Sequence, residues 1–287
     1  MKWFRDIGPG VLIAAAFIGP GTVTLCTIAG ASFGYSLIWA IILSTFSTIV
    51  LQEMSLRIGL VTRMNLAEVI RTSIKSKILN RFIILLIISS ILIGNTAYEA
   101  GNITGASLGI SAIINYESIN YIPVFIGLIA FVILYQGDYK ILERSLVSLV
   151  IMMSISFFIT AIMTKPDITD LLKGIFRPQV NSSNLIVVLG LIGTTVVPYN
   201  IFLHSSLVSE KWNSIDKLKV ARIESFISIF LGGLVSLSII ITAASVYNQN
   251  VTGVIDLARG LEPLYGKFAI YFLGLGLFAS GITSSIT

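Results

Sequence analysis

Few residues in this chain could do chemistry, and they lie inside apolar runs. Glu99 is the acidic residue deepest in any such run, within RFIILLIISSILIGNTAYEAGNITGASLGI. A carboxylate at that depth in a bilayer is expensive and marks a functional site by default, usually one for proton or ion passage. Asn95, Glu99 and Asn102 recur at spacings of four and three, so they share one helix face. The alternative is a structural hydrogen-bond cluster between helices. His204 is the single histidine. Its place inside an apolar run suits proton movement, and its alternative is a packed, hydrogen-bonded ring. No nucleophile partners His204, and no metal cluster or phosphate loop stands out, so the pattern does not favour an enzyme. The one cysteine, Cys26, permits no internal disulfide framework and reads as a small apolar helix residue.

Two further features surround these residues. Gly19-Pro20-Gly21-Thr22 interrupts the run Val11 to Ala31, and Val197-Pro198-Tyr199-Asn200 interrupts the run Leu185 to Val208. Proline removes an amide donor and clashes with the preceding turn, so each helix is expected to break there. In lipid, freed backbone groups persist only where they line a buried cavity or a pathway. Two broken helices in matching positions of two halves point to a transporter binding site between them. The first half-helix is expected to end at Ile18 and the second to restart after Thr22.

Composition sets the solvent. Of 287 residues, 55% are hydrophobic and 11% charged, against about 25% charged in a soluble domain. A membrane helix needs about 20 mostly apolar residues. Complete candidates fall at roughly 9–31, 35–59, 82–112, 121–136, 144–164, 184–209 and 222–247, and an eighth begins near Lys267. The first run is too long for a cleavable signal peptide, and no small-residue cleavage site leads into a soluble domain. The net charge of +5 is not a nucleic-acid signal, because the basic residues lie in loops beside helices.

Those loops set orientation, since cytoplasmic loops collect Lys and Arg. With the N-terminus inside, the inner segments hold Lys2 and Arg5; Arg57, Arg63, Arg71, Lys75, Lys77 and Arg81; Lys140 and Arg144; and Lys211, Lys217, Lys219 and Arg222. The outer ones hold Lys165, Lys173, Arg177, Arg259 and Lys267. The segment 61–81 reads as a basic loop. Residues 165–183 read as a polar, proline-rich connector between two halves. Glu53 and Arg57, four apart, read as interfacial support.

At the breaks the sequence resembles the Nramp family of proton-coupled divalent metal transporters. The family's first helix reads like GPGFLVAVAYIDPGN, and residues 8–22 read GPGVLIAAAFIGPGT. Its sixth reads like GATVMPHNLYLHSALV, and residues 193–208 read GTTVVPYNIFLHSSLV. The third-helix pattern DLAEVIG is similar to EAGNITG at 99–105. The eighth-helix start AAGQSSTIT is similar to ASGITSSIT at 279–287. The resemblance implies an all-α, LeuT-type inverted-repeat membrane fold with unwound helices one and six, incomplete after helix eight. It implies one transporter domain, with a first repeat over about 1–164 and a partial second repeat over about 184–287. The expected location is a bacterial cell membrane, with the N-terminus cytoplasmic.

In the family the metal is held by the Asp and Asn of the first break, the Met of the second and backbone carbonyls. The matching positions here are Gly19, Thr22 and Val197, with the carbonyl of Ala16. The histidine after the proline is Tyr199, the second histidine is kept as His204, and Asn102 replaces an acidic position. A thioether selects transition metals and a carboxylate neutralises divalent charge; both are replaced. Neutral oxygen remains, from the Thr22 hydroxyl, the Asn200 amide and exposed carbonyls. The expected substrate is therefore a divalent ion, with Mg2+, which keeps its waters and prefers oxygen, beside Mn2+ and Fe2+. An anion or neutral solute on the same scaffold is the alternative, since a half-helix restarting near Thr22 offers amides and positive dipole charge. A transport-dead fragment is a third. No cofactor is expected.

Overall fold

The computed structural model describes residues 9–10, 13, 18–114, 121–136, 151, 154–155, 157–212, 214–245, 266 and 268–286. Ala16, whose carbonyl was named above, lies outside them, as do the basic lead with Lys2 and Arg5, the turn with Lys140 and Arg144, and Arg259 and Lys267. The described chain is helical throughout its spans. In order come α1 (Pro20–Phe33), α2 (Ile38–Thr62), α3 (Leu66–Ser73), α4 (Lys77–Ile114), α5 (Ile122–Gln136), α6 (Ile168–Phe176), α7 (Leu185–Thr195), α8 (Pro198–Lys211), a 3-10 turn at Ile215–Lys217, α9 (Leu218–Ala244) and α10 (Phe268–Ile286). Among the described residues, five helical stretches are long and apolar enough to cross a membrane; the third of them, Leu185–Lys211, counts α7 and α8 together.

Two helices depart from the expected loops. The basic segment 61–81 contains α3, started by a reciprocal cap. The Glu68 amide donates to Asn65 Oδ1 at 2.9 Å, and the Asn65 amide donates to Glu68 Oε2 at 3.1 Å. That Asn-x-x-Glu spacing is a capping box, a sequence signal for a helix start that outweighs the local charge. The connector 165–183 contains α6, capped where the Thr169 amide donates to Asp167 Oδ1 at 2.7 Å. That donor holds the exposed Asp167 carboxyl below its usual range. The third span is also longer than expected: α4 has 38 residues, about 57 Å of helix, nearly twice the bilayer core.

Packing depends on small residues, because lipid supplies no hydrophobic force between helices. α10 lies along α4, α9 along α1 and α2, and α8 along α2. At Gly105 of α4 a Cβ would strike the Pro20 ring, so this glycine lets α1 start against α4. At Gly281 of α10 a Cβ would sit 2.6 Å from the Asn102 carbonyl oxygen. The Glu53 pair is more than local support. Glu53 lies 3.7 Å from Arg57 and, across to α9, accepts from Arg222 Nε at 2.7 Å.

The contrast between two glycines of α4 is testable. Gly105→Ala should lower stability by about 1–3 kcal/mol through overpacking. Gly94→Ala, where a Cβ meets nothing within 4 Å, should raise it by about 0.5–1 kcal/mol through helix propensity. Thermal unfolding in detergent reads both, and equal effects would contradict this packing.

Candidate functional site: two helix breaks against one turn of α4

The second break follows from Pro198. Proline pushes the preceding residue into extended backbone, and Val197 has φ −100 and ψ 120 as the N-cap of α8. α7 ends at Thr195, and the Val196 amide donates to the Ile192 carbonyl at 2.8 Å. The carbonyls of the last turn then lack helical partners. Side chains of other helices supply them. Tyr98 of α4 donates its hydroxyl to the Gly193 carbonyl at 2.6 Å. Thr48 of α2 donates to the Thr195 carbonyl at 3.2 Å. Farther along α8, Ser55 of α2 donates to the Ile201 carbonyl.

The first break is tighter than the sequence suggests. The helix restarts at Pro20, not after Thr22, so Thr22 lies in the first turn of α1. Proline is pre-organised for the first helical position, where its missing N–H is no loss. Gly19 is the N-cap, with φ −80 and ψ 172. Its carbonyl accepts from the Val23 amide at 3.1 Å. Pro20 and Gly21 are thus helical residues at the start of the second half, and Pro198 has the same place in α8. A Cβ built at Gly19 would lie 3.1 Å from Ser284 Oγ and 3.3 Å from Asn102 Oδ1. The position that the family resemblance makes acidic is therefore closely flanked by α4 and α10.

One turn of α4 faces both breaks. Tyr98 reaches the second and Asn102 the first, four residues apart on one face. Glu99 lies in the same turn, half-buried, and its carboxyl group faces Ser285 and Asn102. Tyr199, the second residue of α8, packs edge-on against Tyr98 at 5.7 Å and 73°, and lies within electrostatic range of Glu99.

The inner face of α8 carries Asn200 and His204, one turn apart. They are 1% and 0% exposed. His204 Nδ1 lies within hydrogen-bond distance, 2.8 Å, of Gln52 Oε1 of α2. His204 Nε2 and both amide atoms of Asn200 have no hydrogen-bond partner among the described residues. Buried polar atoms are nearly always paired, so these atoms are candidates to meet a water or a ligand. Val197 is buried beside them in the chain. No group of three His, Cys, Asp or Glu residues able to hold a metal occurs among the described residues.

Sequence reasoning singled out Gly19, Thr22, Glu99, Asn102, Val197, Tyr199, Asn200 and His204. The structure groups Gly19 with Asn102, Tyr199 with Glu99, and Asn200 with His204. It adds Tyr98, Thr48, Gln52 and Ser284. Gln52 carried a signal, as an uncharged polar residue inside an apolar span; the others do not differ from ordinary hydroxyls in a membrane helix.

Comparison with known proteins follows the same lines. The family model described as Natural resistance-associated macrophage protein-like matches residues 10–287. A metal transporter nramp1 homolog of Dictyostelium discoideum is 31% identical over 98% of this chain and 54% of its own length. Metal transporter Nramp2 of Populus trichocarpa is 30% identical over 100% of this chain and 56% of its own length. The chain thus spans about half the length of these relatives. Among solved structures, a manganese transporter of Eremococcus coleocola superposes with TM-score 0.79 at 22% identity, covering 99% of this chain and 64% of that one. The nucleobase-cation symporter Mhp1 superposes with TM-score 0.62 at 16% identity over 98% of this chain and 64% of that one. The chain is a multi-pass, all-α membrane protein with the LeuT-type fold, and it belongs to the Nramp family.

Proposed function

We propose that this chain forms the ion-binding part of a secondary transporter that carries a divalent metal ion between its two helix breaks. The observation that carries the reading is the orphaned Asn200 amide, buried in the first turn of the half-helix that Pro198 starts. A fully buried amide without partners is destabilising by about 1–3 kcal/mol, and a ligand would relieve that penalty. The relatives' names agree, since they include metal transporters and divalent metal cation transporters. Thr22 and Asn200 are our assigned side-chain ligands. Gly19 and Tyr199 border the ion, and the carbonyls of Val197 and Ala16 offer further oxygens. Such a set has no formal charge, so it suits a hard ion that keeps some of its waters, as Mg2+ does, better than it suits a fully stripped one.

We assign proton coupling to Glu99, Asn102 and His204. Glu99 supplies the carboxylate beside the breaks, and His204 Nε2 has no hydrogen-bond partner among the described residues. The chain reads as a single transporter domain rather than an enzyme. Its first repeat covers about 1–164 and its second begins near 184. We place it in a bacterial cell membrane with the N-terminus inside. A second reading, transport of an anion or neutral solute, is favoured by one observation. Gly19 presents no carboxylate at the start of α1, whose first-turn amides and dipole attract negative charge.

Purified chain reconstituted in liposomes should take up Mg2+ or Mn2+, with Gly19→Asp shifting the preference toward Mn2+. Silence of both proteins, with each folded, would favour the anion or neutral-solute reading. Glu99→Gln should abolish uptake driven by a pH gradient; unchanged pH-driven uptake would remove Glu99 from the proton route.

A further inference from the structure

The basic corner between α3 and α4 plays no part in the site described above. We propose that it binds the headgroups of anionic phospholipids, and that lipid held there steadies α3 against α8, the half-helix that starts at the second break. The metal-ion reading is not needed for this.

The corner carries four cations: Arg71 in the last turn of α3, Lys75 in the connection, and Lys77 and Arg81 at the start of α4. All four are exposed. The ion pairs among the described residues join Glu53 to Arg57 and Arg222, and Asp170 to Lys173, so none takes up a charge of this corner. The carboxylate of Glu68, nearest in the sequence, accepts from the Asn65 amide at 3.1 Å and is held in the cap of α3. Charge that only sets topology needs no fixed shape, but this corner is built. The Asn80 side chain of α4 donates to the Arg71 carbonyl at 2.7 Å and to the Ile74 carbonyl at 3.4 Å. That ties the end of α3 to the start of α4 and keeps the four cations together.

The occupant follows from what lies beside the charge. Lys77 and Arg81 are one turn apart on one face of α4. Next to them Ile78, Phe82 and Leu85 form an exposed apolar stripe that runs on into the span. A soluble anion would use the charge and leave the stripe bare. A phospholipid uses both, with its phosphate at the cations and an acyl chain along the stripe. Clusters of Lys and Arg at the end of a span attract anionic lipid in this way.

Through α3 the corner reaches the second break. The Leu66 amide, in the first turn of α3, donates to Ser205 Oγ of α8 at 2.9 Å. Ser205 is buried and follows His204 in the chain. None of the residues of α3 is itself buried, so its packing holds it lightly, and a lipid at Arg71 and Lys75 adds to that hold.

Titration of phosphatidylglycerol into the purified chain in neutral detergent, read by native mass spectrometry, tests the proposal. Lys77→Gln with Arg81→Gln should weaken binding about five- to twentyfold. Lys217→Gln with Lys219→Gln removes the same charge from the 3-10 turn and α9, and should leave binding nearly unchanged. Equal weakening by the two pairs would mean diffuse attraction and would overturn the inference. In phosphatidylcholine nanodiscs both variants should keep the Tm of the unaltered chain, because the substituted groups are exposed; a lower Tm for the first pair alone would make these groups structural and count against lipid binding. Adding phosphatidylglycerol to the nanodiscs should slow hydrogen exchange at 66–73 severalfold in the unaltered chain and not in the first variant. Binding without that protection would overturn the link to α8. The same protection from inorganic phosphate alone would identify a free-anion site and overturn the lipid reading.

Discussion

Everything in this structure depends on how backbone groups freed by Pro20 and Pro198 are satisfied where no bulk water is available. A bilayer permits a broken helix only if other protein atoms take over its lost hydrogen bonds. At the second break Tyr98 and Thr48 do so, from two different helices. At the first, the chain turns directly into Pro20, and Gly105 lets the proline ring lie against α4. The same turn of α4 thus meets both breaks, and Glu99 sits in it. Fold and site are inseparable here, because the residues that make the breaks tolerable are also those that surround them.

α2 contributes the second support. Its buried face carries Ser44, Thr48, Gln52 and Ser55 at helical spacing. Thr48, Gln52 and Ser55 each reach α7 or α8. Against that satisfied row, the unpartnered amide of Asn200 and Nε2 of His204 stand out. They share one face of α8, so a ligand or water at one is a turn away from the other. The lost charge at position 19 and the neutral residue at 102 belong to the same pattern. On the proposed metal-ion reading, such a site offers hydrogen-bonding capacity in place of formal charge, which would suit a hydrated ion better than a bare one.

Much of this was legible in the sequence, for physical reasons. Prolines in the middle of long apolar runs fix where helices break, and the spacing of Asn95, Glu99 and Asn102 fixes a shared face. Other features were not. The restart at Pro20 rather than after Thr22 turns on whether the proline ends one helix or begins the next, and flanking glycines allow both. α3 and α6 were hidden by charge and proline, although Asn65 with Glu68 and Asp167 are ordinary start signals. Tyr98, Thr48 and Ser284 could not be found, because their partners lie in other spans and spacing along one helix carries no information about them. The same holds for Arg222, which joins Glu53 from a helix far along the chain.

The central claim is that α4 stabilises the second break through the Tyr98 hydroxyl, which satisfies the Gly193 carbonyl. Hydrogen exchange of Tyr98→Phe, compared with the unaltered chain in nanodiscs, tests it most directly. Loss of the donor to the Gly193 carbonyl should speed exchange of the amides around 193–201 severalfold, by about 1 kcal/mol of lost protection, and leave those of α1 unchanged. Equal protection at 193–201 in both proteins would show that the break does not depend on α4, and would contradict the account.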